Sequence, residues 1–294
     1  MQNDLSRLFL SIHAQVRQGL AGPVPAQAAA FKYLFVRGFM GNHINDYLEH
    51  NIERFKDLGL DAGFVKIASE GDRPGNLAKI GAAVLASDKP VILIGHSRGG
   101  NLVHDWYRLA APAEKAKTAK LVLLQAPLAG SPVADFVLGH WSLRSLARAL
   151  GWLPHWGDVQ ESIRELSTAG RQQTLARMPA LEPADLDKIY VIYSAFNPDL
   201  KTPWHRDMRQ FCKIISQRSK RSSDGLTSVD SAQVPGAHNI CLQGLDHEDT
   251  VIQDAGWLKR LMGSRPNPAY RAGDITETIL RLILRNPRHE NAAP

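Results

Sequence analysis

Short apolar runs rich in β-branched residues alternate along this chain with segments whose apolar residues recur at helical spacing. Runs that are apolar throughout are typical of strands buried on both faces of a sheet. The predicted strands cover residues 31–36, 62–67, 90–94, 120–124, 188–193 and 239–242. The predicted helices cover residues 4–20, 45–58, 76–87, 100–107 and 274–285. Because strands that alternate with helices form parallel sheets covered on both faces, the sequence predicts an α/β fold.

Between Gly130 and Pro183 the strand pattern stops. Residues 142–153 are amphipathic, and three tryptophans lie beside or within this segment: Trp141, Trp152 and Trp156. An insertion of this kind is typical of a helical cap or lid, although two ordinary packing helices explain the pattern equally well. We therefore expect a single domain over residues 1–294, with a lid or cap at about 131–183, and a frayed tail over 286–294.

Composition and charge narrow the class of protein. The apolar fraction of 44% and the charged fraction of 22% favour a full core over disorder. No apolar run reaches the length of a membrane span, and no secretory signal begins the chain, so we expect a cytoplasmic protein or one exported without a recognisable signal peptide. The net charge is +6, and basic residues gather between Lys201 and Arg221. Because no nucleic-acid motif accompanies them, we interpret this segment as a solvated face and expect no nucleic-acid partner.

The two cysteines, Cys212 and Cys241, cannot form a disulfide framework, although one bridge between them is possible. Neither cysteine has the spacing of a zinc ligand. The sequence therefore predicts a fold that depends on its hydrophobic core.

The segment Gly95–Gly99 carries the most specific chemical signal. It fits G-x-S-x-G, a strand-to-helix turn that presents a serine as a nucleophile. The predicted strand 90–94 precedes it and a helical pattern follows it, as that turn requires. Ser97 would then lie at a helix N-terminus, where developing negative charge is favoured. The alternative is a small-residue turn in an ordinary βα unit.

A serine nucleophile needs a base that takes its proton and an acid that orients the base. Among the histidines after Ser97, His247 lies in a polar loop that follows the predicted strand 239–242. His238 begins that strand and would point from its opposite end, and His104 falls within the helix after the serine. Two acids follow the serine in suitable loops, Asp199 and Asp224, and spacing alone does not separate them.

Five segments carry motifs in a fixed order. They are 35–41 (FVRGFMG), 95–100 (GHSRGG), 126–135 (APLAGSPVAD), 223–226 (SDGL) and 246–249 (DHED). Together they resemble the bacterial triacylglycerol lipases and related esterases of the α/β-hydrolase fold, the Pseudomonas–Burkholderia type especially. The matching pieces run from about residue 31 to 257. The resemblance implies that fold, with a mostly parallel sheet, helices on both faces and a helical lid.

The resemblance also implies a serine hydrolase that cleaves carboxylic esters through a Ser-His-Asp triad and an acyl-enzyme intermediate. In that interpretation Ser97 is the nucleophile and His247 is the base. The SDGL segment matches the family motif that carries the acid, which favours Asp224 over Asp199. No cofactor is required for this chemistry.

The family places its two oxyanion donors after a His-Gly pair and after the nucleophile, at backbone N–H groups that correspond here to Phe39 and Arg98. One position departs from the pattern, because Arg37 stands where the family has histidine. The charge of Arg37 has two open roles, to pair with an acidic neighbour or to favour a substrate with a negative group. The substrate class depends on which role it has.

A structural calcium site is also implied by the resemblance. Asp249 and Gln253 match the offsets at which the family places a carboxylate and a glutamine that help hold the ion. Oxygen ligands suit calcium. Two such residues four apart on a helix are equally well a hydrogen-bonded surface pair.

Three functions are compatible with these residues. A lipase or esterase would act on a small-molecule or lipid ester, with transient contact at a lipid interface and no transmembrane segment. A thioesterase or acyltransferase would use the same serine for a different acceptor. A non-catalytic binding module of the same fold is disfavoured, because candidates for nucleophile, acid and base all occur in the required order.

Overall fold

A parallel β-sheet is the centre of the protein, which we describe from a computed structural model over residues 3–140, 156–200, 202, 208–253 and 265–285. Its strands are β1 (Asn3–Asp4), β2 (Lys32–Val36), β3 (Asp61–Phe64), β4 (Val91–His96), β5 (Thr118–Leu124), β6 (Ile189–Ala195) and β7 (His238–Gln243). The strand order is β1-β7-β6-β5-β4-β2-β3. Every pairing is parallel, which places the carboxyl ends of all strands at one edge of the sheet.

Helices connect the strands and cover the sheet. They are α1 (Ser6–Arg17), α2 (Glu49–Asp57), α3 (Arg73–Leu85), α4 (Arg98–Leu109), α5 (Pro112–Lys117), α6 (Pro132–Gly139), α7 (Trp156–Leu166), α8 (Thr168–Ala176), α9 (Pro183–Leu186), α10 (Arg209–Ser219), α11 (Val229–Ala232) and α12 (Ala272–Ile283), with a 3-10 helix at Ala26–Ala30. Parallel neighbours need such crossovers, because a tight turn cannot return the chain to the same end of the sheet.

The sheet separates two hydrophobic cores. Side chains alternate between the faces of a strand, so Ile92 and Ile94 of β4 join one core with α1, α2 and α12. Val91 and Leu93 of the same strand join the other core with α3 and α4. Burial on both faces explains why this strand is apolar at every position from Val91 to Ile94.

The predicted α/β class is confirmed, and each predicted strand is present within a few residues. The clearest difference is at β3, which was expected to reach Ile67 and ends at Phe64. The Val65 N–H still bonds the Phe35 carbonyl at 2.9 Å, but the Ile67 N–H turns back to the Val65 carbonyl. The strand β1 has two residues and no pattern in the sequence that predicts it.

The region of the expected lid contains α6, α7 and α8. An ion pair fixes α8 to the sheet-side helix α4, because Arg171 donates to both oxygens of Asp105 at 2.7 and 2.8 Å. Burial opposes ionisation of Asp105, yet the hydrogen bonds from Arg171 hold the pKa of that carboxyl below its usual range. Residues 141–155, which include the predicted amphipathic segment 142–153 with Trp141 and Trp152, lie outside the described residues. So do the predicted tail 286–294 and the basic residues Lys201 and Arg206.

Both cysteines are free thiols, so the possible bridge between Cys212 and Cys241 is absent. Among the helices that the structure describes, none combines the length and the apolar character that crossing a bilayer requires.

Candidate active site

Ser97 lies in the turn between β4 and α4, at the carboxyl edge of the sheet. Its backbone has φ 54° and ψ −125°, a conformation that residues other than glycine rarely adopt. The Ser97 N–H donates to the Leu124 carbonyl at 2.9 Å, which ties the turn to β5. A Cβ at Gly95 would lie 2.6 Å from the Gly99 carbonyl oxygen, so the turn closes only around glycine. This is the predicted strand-to-helix turn.

The structure brings His247 and Asp224 together, with 2.9 Å between His247 Nδ1 and Asp224 Oδ2. Both side chains are buried. The other carboxylate oxygen, Oδ1, accepts the N–H groups of Leu226 and Thr227 at 2.9 and 2.7 Å. The His247 N–H also donates to the Asp224 carbonyl at 2.9 Å, so the two loops are joined by backbone as well as side chains.

Asp199, the other acid considered, lies in a different place. It lines a separate polar cavity together with Lys220 and Arg221. Its N–H group donates to the Asn197 side-chain oxygen at 2.9 Å in a local turn. Of the two acids, it is therefore Asp224 whose carboxylate contacts His247.

His238 and His104 lie where the sequence placed them. His238 is the first residue of β7 and stacks on the Tyr190 ring with centroids 4.4 Å apart. His104 is buried in α4, with Nδ1 3.3 Å from Asp105 Oδ1. Burial lowers the pKa of both imidazoles. These two rings pack against the fold away from the Asp224–His247 pair.

Ser97 and His247 line one cavity of about 310 Å³. Its wall is mostly apolar, and most of the apolar side chains come from the loop before α2 and from the helices of the expected lid: Phe39, Met40, Ile44, Val133, Ala134, Val137, Ile163 and Leu166. The α6 and α7 helices therefore form one wall of the cavity that contains the serine. A mostly apolar cavity with a few convergent polar groups is the usual form of a small-molecule site.

A buried glutamine that the sequence analysis did not single out connects the loops around this cavity. Gln125 follows β5 with φ 47° and accepts hydrogen bonds from Thr250 Oγ1 at 2.6 Å and from His96 Nε2 at 3.2 Å. Its Nε2 donates to Ser194 Oγ and, at 2.7 Å, to the Asp246 carbonyl. Gln125 thus joins β6 and the His247 loop to the strand beside Ser97. No local sequence signal marks such a residue, because its partners are distant in the chain.

Arg37 has an acidic neighbour. Its guanidinium pairs with Glu49, and its Nε donates to the Tyr47 carbonyl at 3.3 Å. The guanidinium also lies 3.7 Å from the centroid of the Phe64 ring. Of the two roles that the sequence left open, the structure shows the pairing with an acidic residue.

The two positions expected to supply oxyanion donors lie on either side of Ser97. Arg98 is the first residue of α4, and Phe39 lines the cavity. The Arg98 side chain is buried and points away into a separate network, donating to the Ser69 and Gly71 carbonyls at 2.8 and 2.7 Å and to Glu165 at 2.9 Å. Because Glu165 belongs to α7, Arg98 also links the lid region to the serine turn.

Asp249, one of the two residues expected to help hold calcium, has hydrogen-bond partners within the protein. Asp249 Oδ2 accepts the Asp246 N–H at 2.9 Å and the Asn267 amide at 2.8 Å, which shapes the loop that carries His247. In the described part of the chain no three His, Cys, Asp or Glu side chains form a group that could hold a metal ion. A calcium ion at Asp249 and Gln253 stays a prediction from the resemblance.

Neither the protein-family models nor the curated proteins gave a match to this sequence. Several solved structures are similar in fold. A metagenomic carboxyl esterase superposes with a TM-score of 0.71 at 18% identity, over 89% of this chain and 77% of its own. The Staphylococcus hyicus lipase gives 0.60 at 13% identity, over 88% and 96%. The mature Bacillus licheniformis lipase BlEst2 gives 0.56 at 19% identity, over 76% and 86%. At these identities the likeness concerns the fold, and the chain has the α/β-hydrolase fold that bacterial lipases and esterases share.

Proposed function

We propose that this protein is a serine hydrolase that cleaves carboxylic esters, with Ser97 as nucleophile, His247 as base and Asp224 as the acid that orients the base. The observation that carries the proposal is the convergence on one apolar cavity of a strained serine turn and a buried His–Asp pair. The similar esterase and lipase structures support it at the level of fold.

In the first half of the reaction, Ser97 Oγ attacks the ester carbonyl carbon while His247 Nε2 takes the hydroxyl proton. The carbonyl π electrons move to oxygen and form a tetrahedral oxyanion. As the oxyanion collapses, the bond to the alcohol oxygen breaks, and His247 donates its proton to that oxygen. The alcohol leaves, and the acyl group stays on Ser97. In the second half, a water molecule attacks the carbonyl of the acyl-enzyme while His247 takes its proton. The carboxylic acid product is released, and His247 returns the proton to Ser97 Oγ.

Asp224 accepts a hydrogen bond from His247 Nδ1–H, which leaves Nε2 as the nitrogen that takes the proton of Ser97. The two backbone N–H groups on Oδ1 hold the carboxylate in place, where it would stabilise the imidazolium. The N–H groups of Phe39 and Arg98 would donate to the oxyanion. Loss of one such donor typically costs about 3 kcal/mol of transition-state stabilisation.

The substrate we favour is a neutral ester with an apolar acyl chain. The apolar wall of the cavity suits an alkyl chain. The charge of Arg37 is already paired with Glu49, so it offers no reason to expect a negative substrate. We further propose that residues of about 131–183, which supply part of this wall through α6 and α7, act as the lid over the site.

The test is hydrolysis of p-nitrophenyl esters from acetate to palmitate by the wild type and by Ser97→Ala. We expect turnover by the wild type and its abolition in the variant, with an unchanged thermal midpoint. Turnover by Ser97→Ala at the wild-type rate would contradict the proposal. Thermal unfolding in a chelator tests the calcium prediction, because loss of a structural ion would lower the thermal midpoint, and added Ca²⁺ would restore it.

A further inference from the structure

A tyrosine in the loop between β2 and α2 connects the main parts of the site through its hydroxyl group. We propose that Tyr47 is a positioning residue, which holds the loop of residues 38–41 in its productive place and links it through His96 to the serine turn and to the His247 loop. The inference rests on the proposed function, because that loop would supply the Phe39 oxyanion donor.

The direction of each hydrogen bond follows from the chemistry of the groups. His96 Nε2 lies 2.9 Å from the His247 carbonyl oxygen, which can only accept, so Nε2 carries a proton. His96 is fully enclosed, and burial, together with the nearby His247, holds its pKa well below the usual range. A neutral imidazole with a proton on Nε2 has an acceptor at Nδ1. The Tyr47 hydroxyl, which contacts Nδ1, therefore donates to it.

The same hydroxyl oxygen accepts the Gly38 N–H at 3.2 Å. A chain of hydrogen bonds thus runs from Gly38 through Tyr47 and His96 to the His247 carbonyl. His96 is the residue immediately before Ser97, so one imidazole connects the nucleophile turn with the loops on both sides of it.

The packing around Gly38 shows why this chain of hydrogen bonds affects the position of the loop relative to Ser97. A Cβ built on Gly38 would collide with the Tyr47 hydroxyl and would lie 2.9 Å from the Ser97 Cβ. Gly38 therefore lies directly between the tyrosine hydroxyl and the nucleophilic residue. If the hydroxyl were absent, the Gly38 N–H and His96 Nδ1 would both lose a buried partner. The loop of residues 38–41 would lose the hydrogen bond that holds it beside Ser97.

The contribution of Tyr47 is expected in the transition state. An oxyanion donor acts on charge that develops during the reaction, so its displacement lowers kcat and leaves substrate binding largely unchanged. A side chain that only stabilised the fold would instead lower the thermal midpoint without a selective effect on kcat.

The experiment compares Tyr47→Phe with Tyr33→Phe. Tyr33 is an equally buried tyrosine whose hydroxyl donates to the Ala28 carbonyl at 2.9 Å, at the end of β2 away from the cavity. We expect Tyr47→Phe to lower kcat roughly 10-fold or more, with KM within about twofold, as loss of a buried hydrogen bond predicts. In hydrogen-exchange mass spectrometry, the amides of residues 38–41 should exchange faster in Tyr47→Phe and not in Tyr33→Phe.

A second variant separates the Tyr47 end of the hydrogen-bond chain from its His247 end. His96→Asn keeps an acceptor near the Nδ1 position and removes the donor to His247. It should retain slow exchange over residues 38–41 while kcat falls. This variant also keeps the proposal testable if Tyr47→Phe does not fold.

Unchanged exchange over residues 38–41 in Tyr47→Phe would overturn the inference, and so would a wild-type kcat in that variant. Equal losses of kcat in Tyr47→Phe and Tyr33→Phe would overturn it too, since that result indicates general destabilisation. If the wild type hydrolyses no ester, the proposed function fails and the catalytic role of Tyr47 fails with it. If Ser97→Ala is inactive and Tyr47→Phe is fully active, only the role of Tyr47 is wrong.

Discussion

His247 Nδ1 and Asp224 Oδ2 lie 2.9 Å apart, although the two residues belong to loops that follow different strands. The pair is buried, and each partner has further hydrogen bonds that hold it in place. Backbone N–H groups fix Asp224, while the side chains of Asp246 and Asp249 shape the loop of His247. This arrangement gives the imidazole one orientation at the edge of the cavity that contains Ser97.

Replacement of Asp224 by asparagine tests the role of this pair. The amide Nδ2 would oppose the Nδ1 proton, so the imidazole would favour the wrong tautomer. We expect kcat to fall by roughly 10³- to 10⁴-fold, as in other serine hydrolases that lose this acid. Asp199→Asn is the matched control, because Asp199 lines a different cavity, and it should retain full activity. A larger loss in Asp199→Asn would assign the acid to that residue instead.

The serine turn should not tolerate a methyl group at Gly95. A Cβ there would meet the Gly99 backbone at 2.6 Å, and backbone atoms cannot move aside without opening the turn. We expect Gly95→Ala to lower the free energy of unfolding by more than about 2 kcal/mol, as overpacking of a rigid site does. Gly63→Ala on the outer strand β3 is the control, since nothing lies within 4 Å of its Cβ position. Urea denaturation of both variants measures the difference, and equal midpoints would contradict the account.

Arg37→Met should change stability and leave substrate preference as it is. The variant removes the ion pair with Glu49 and the contact with Phe64, at a cost of about 1 kcal/mol because the pair is only partly buried. The ratio of kcat/KM for a neutral ester to that for an ester with a terminal carboxylate should stay within about twofold of wild type. Arg164→Met, which removes an exposed pair with Glu161, is the control for loss of a surface charge. A selective loss of the anionic ester in Arg37→Met would show that Arg37 binds substrate.

Stability should decline as the pH falls below about 6.5. Burial lowers the pKa of four described histidines, which are His13, His96, His104 and His238. Below about pH 6.5, the ordinary pKa of histidine, these side chains bind protons in the unfolded chain. In the folded protein their pKa values are lower, so they stay unprotonated until the pH falls further. Because the unfolded state then holds more protons, the free energy of unfolding decreases by up to about 1.4 kcal/mol per pH unit for each such histidine. Urea midpoints between pH 7.5 and 5 measure this slope, and a midpoint that rises toward pH 5 would contradict the prediction.

The sequence predicted the sheet well because its central strands are buried on both faces. Val91 and Leu93 pack in one core, and Ile92 and Ile94 pack in the other. Each of these four positions is therefore apolar in the sequence. The strand Asn3–Asp4 lacks any such pattern, because two residues are too few to show one. The sequence also predicts a strand that reaches Ile67, whereas β3 ends at Phe64, because apolar residues continue into the turn after the strand.

Local motifs mark Ser97 as a candidate nucleophile in a strand-to-helix turn and His247 as a candidate base in the loop after a strand. Spacing does not separate Asp224 from Asp199, since the difference depends on how two loops close over the sheet. The resemblance of the SDGL segment favours Asp224, and the structure places that carboxylate against His247. Tyr47 and Gln125 carry no local signal either, because their partners are far away in the chain. His96 belongs to the serine motif, but its part in the hydrogen-bond chain is visible only in three dimensions.

Covalent labelling gives a direct test of Ser97 as the nucleophile. A fluorophosphonate transfers its phosphonyl group to an activated serine with loss of fluoride, and digestion followed by mass spectrometry locates the adduct. Ser131 is the matched control, because it lines the same cavity but caps α6. We predict one adduct on Ser97, retained in Ser131→Ala and lost in Ser97→Ala. A folded protein that gives no adduct, or an adduct that persists in Ser97→Ala, would contradict the account.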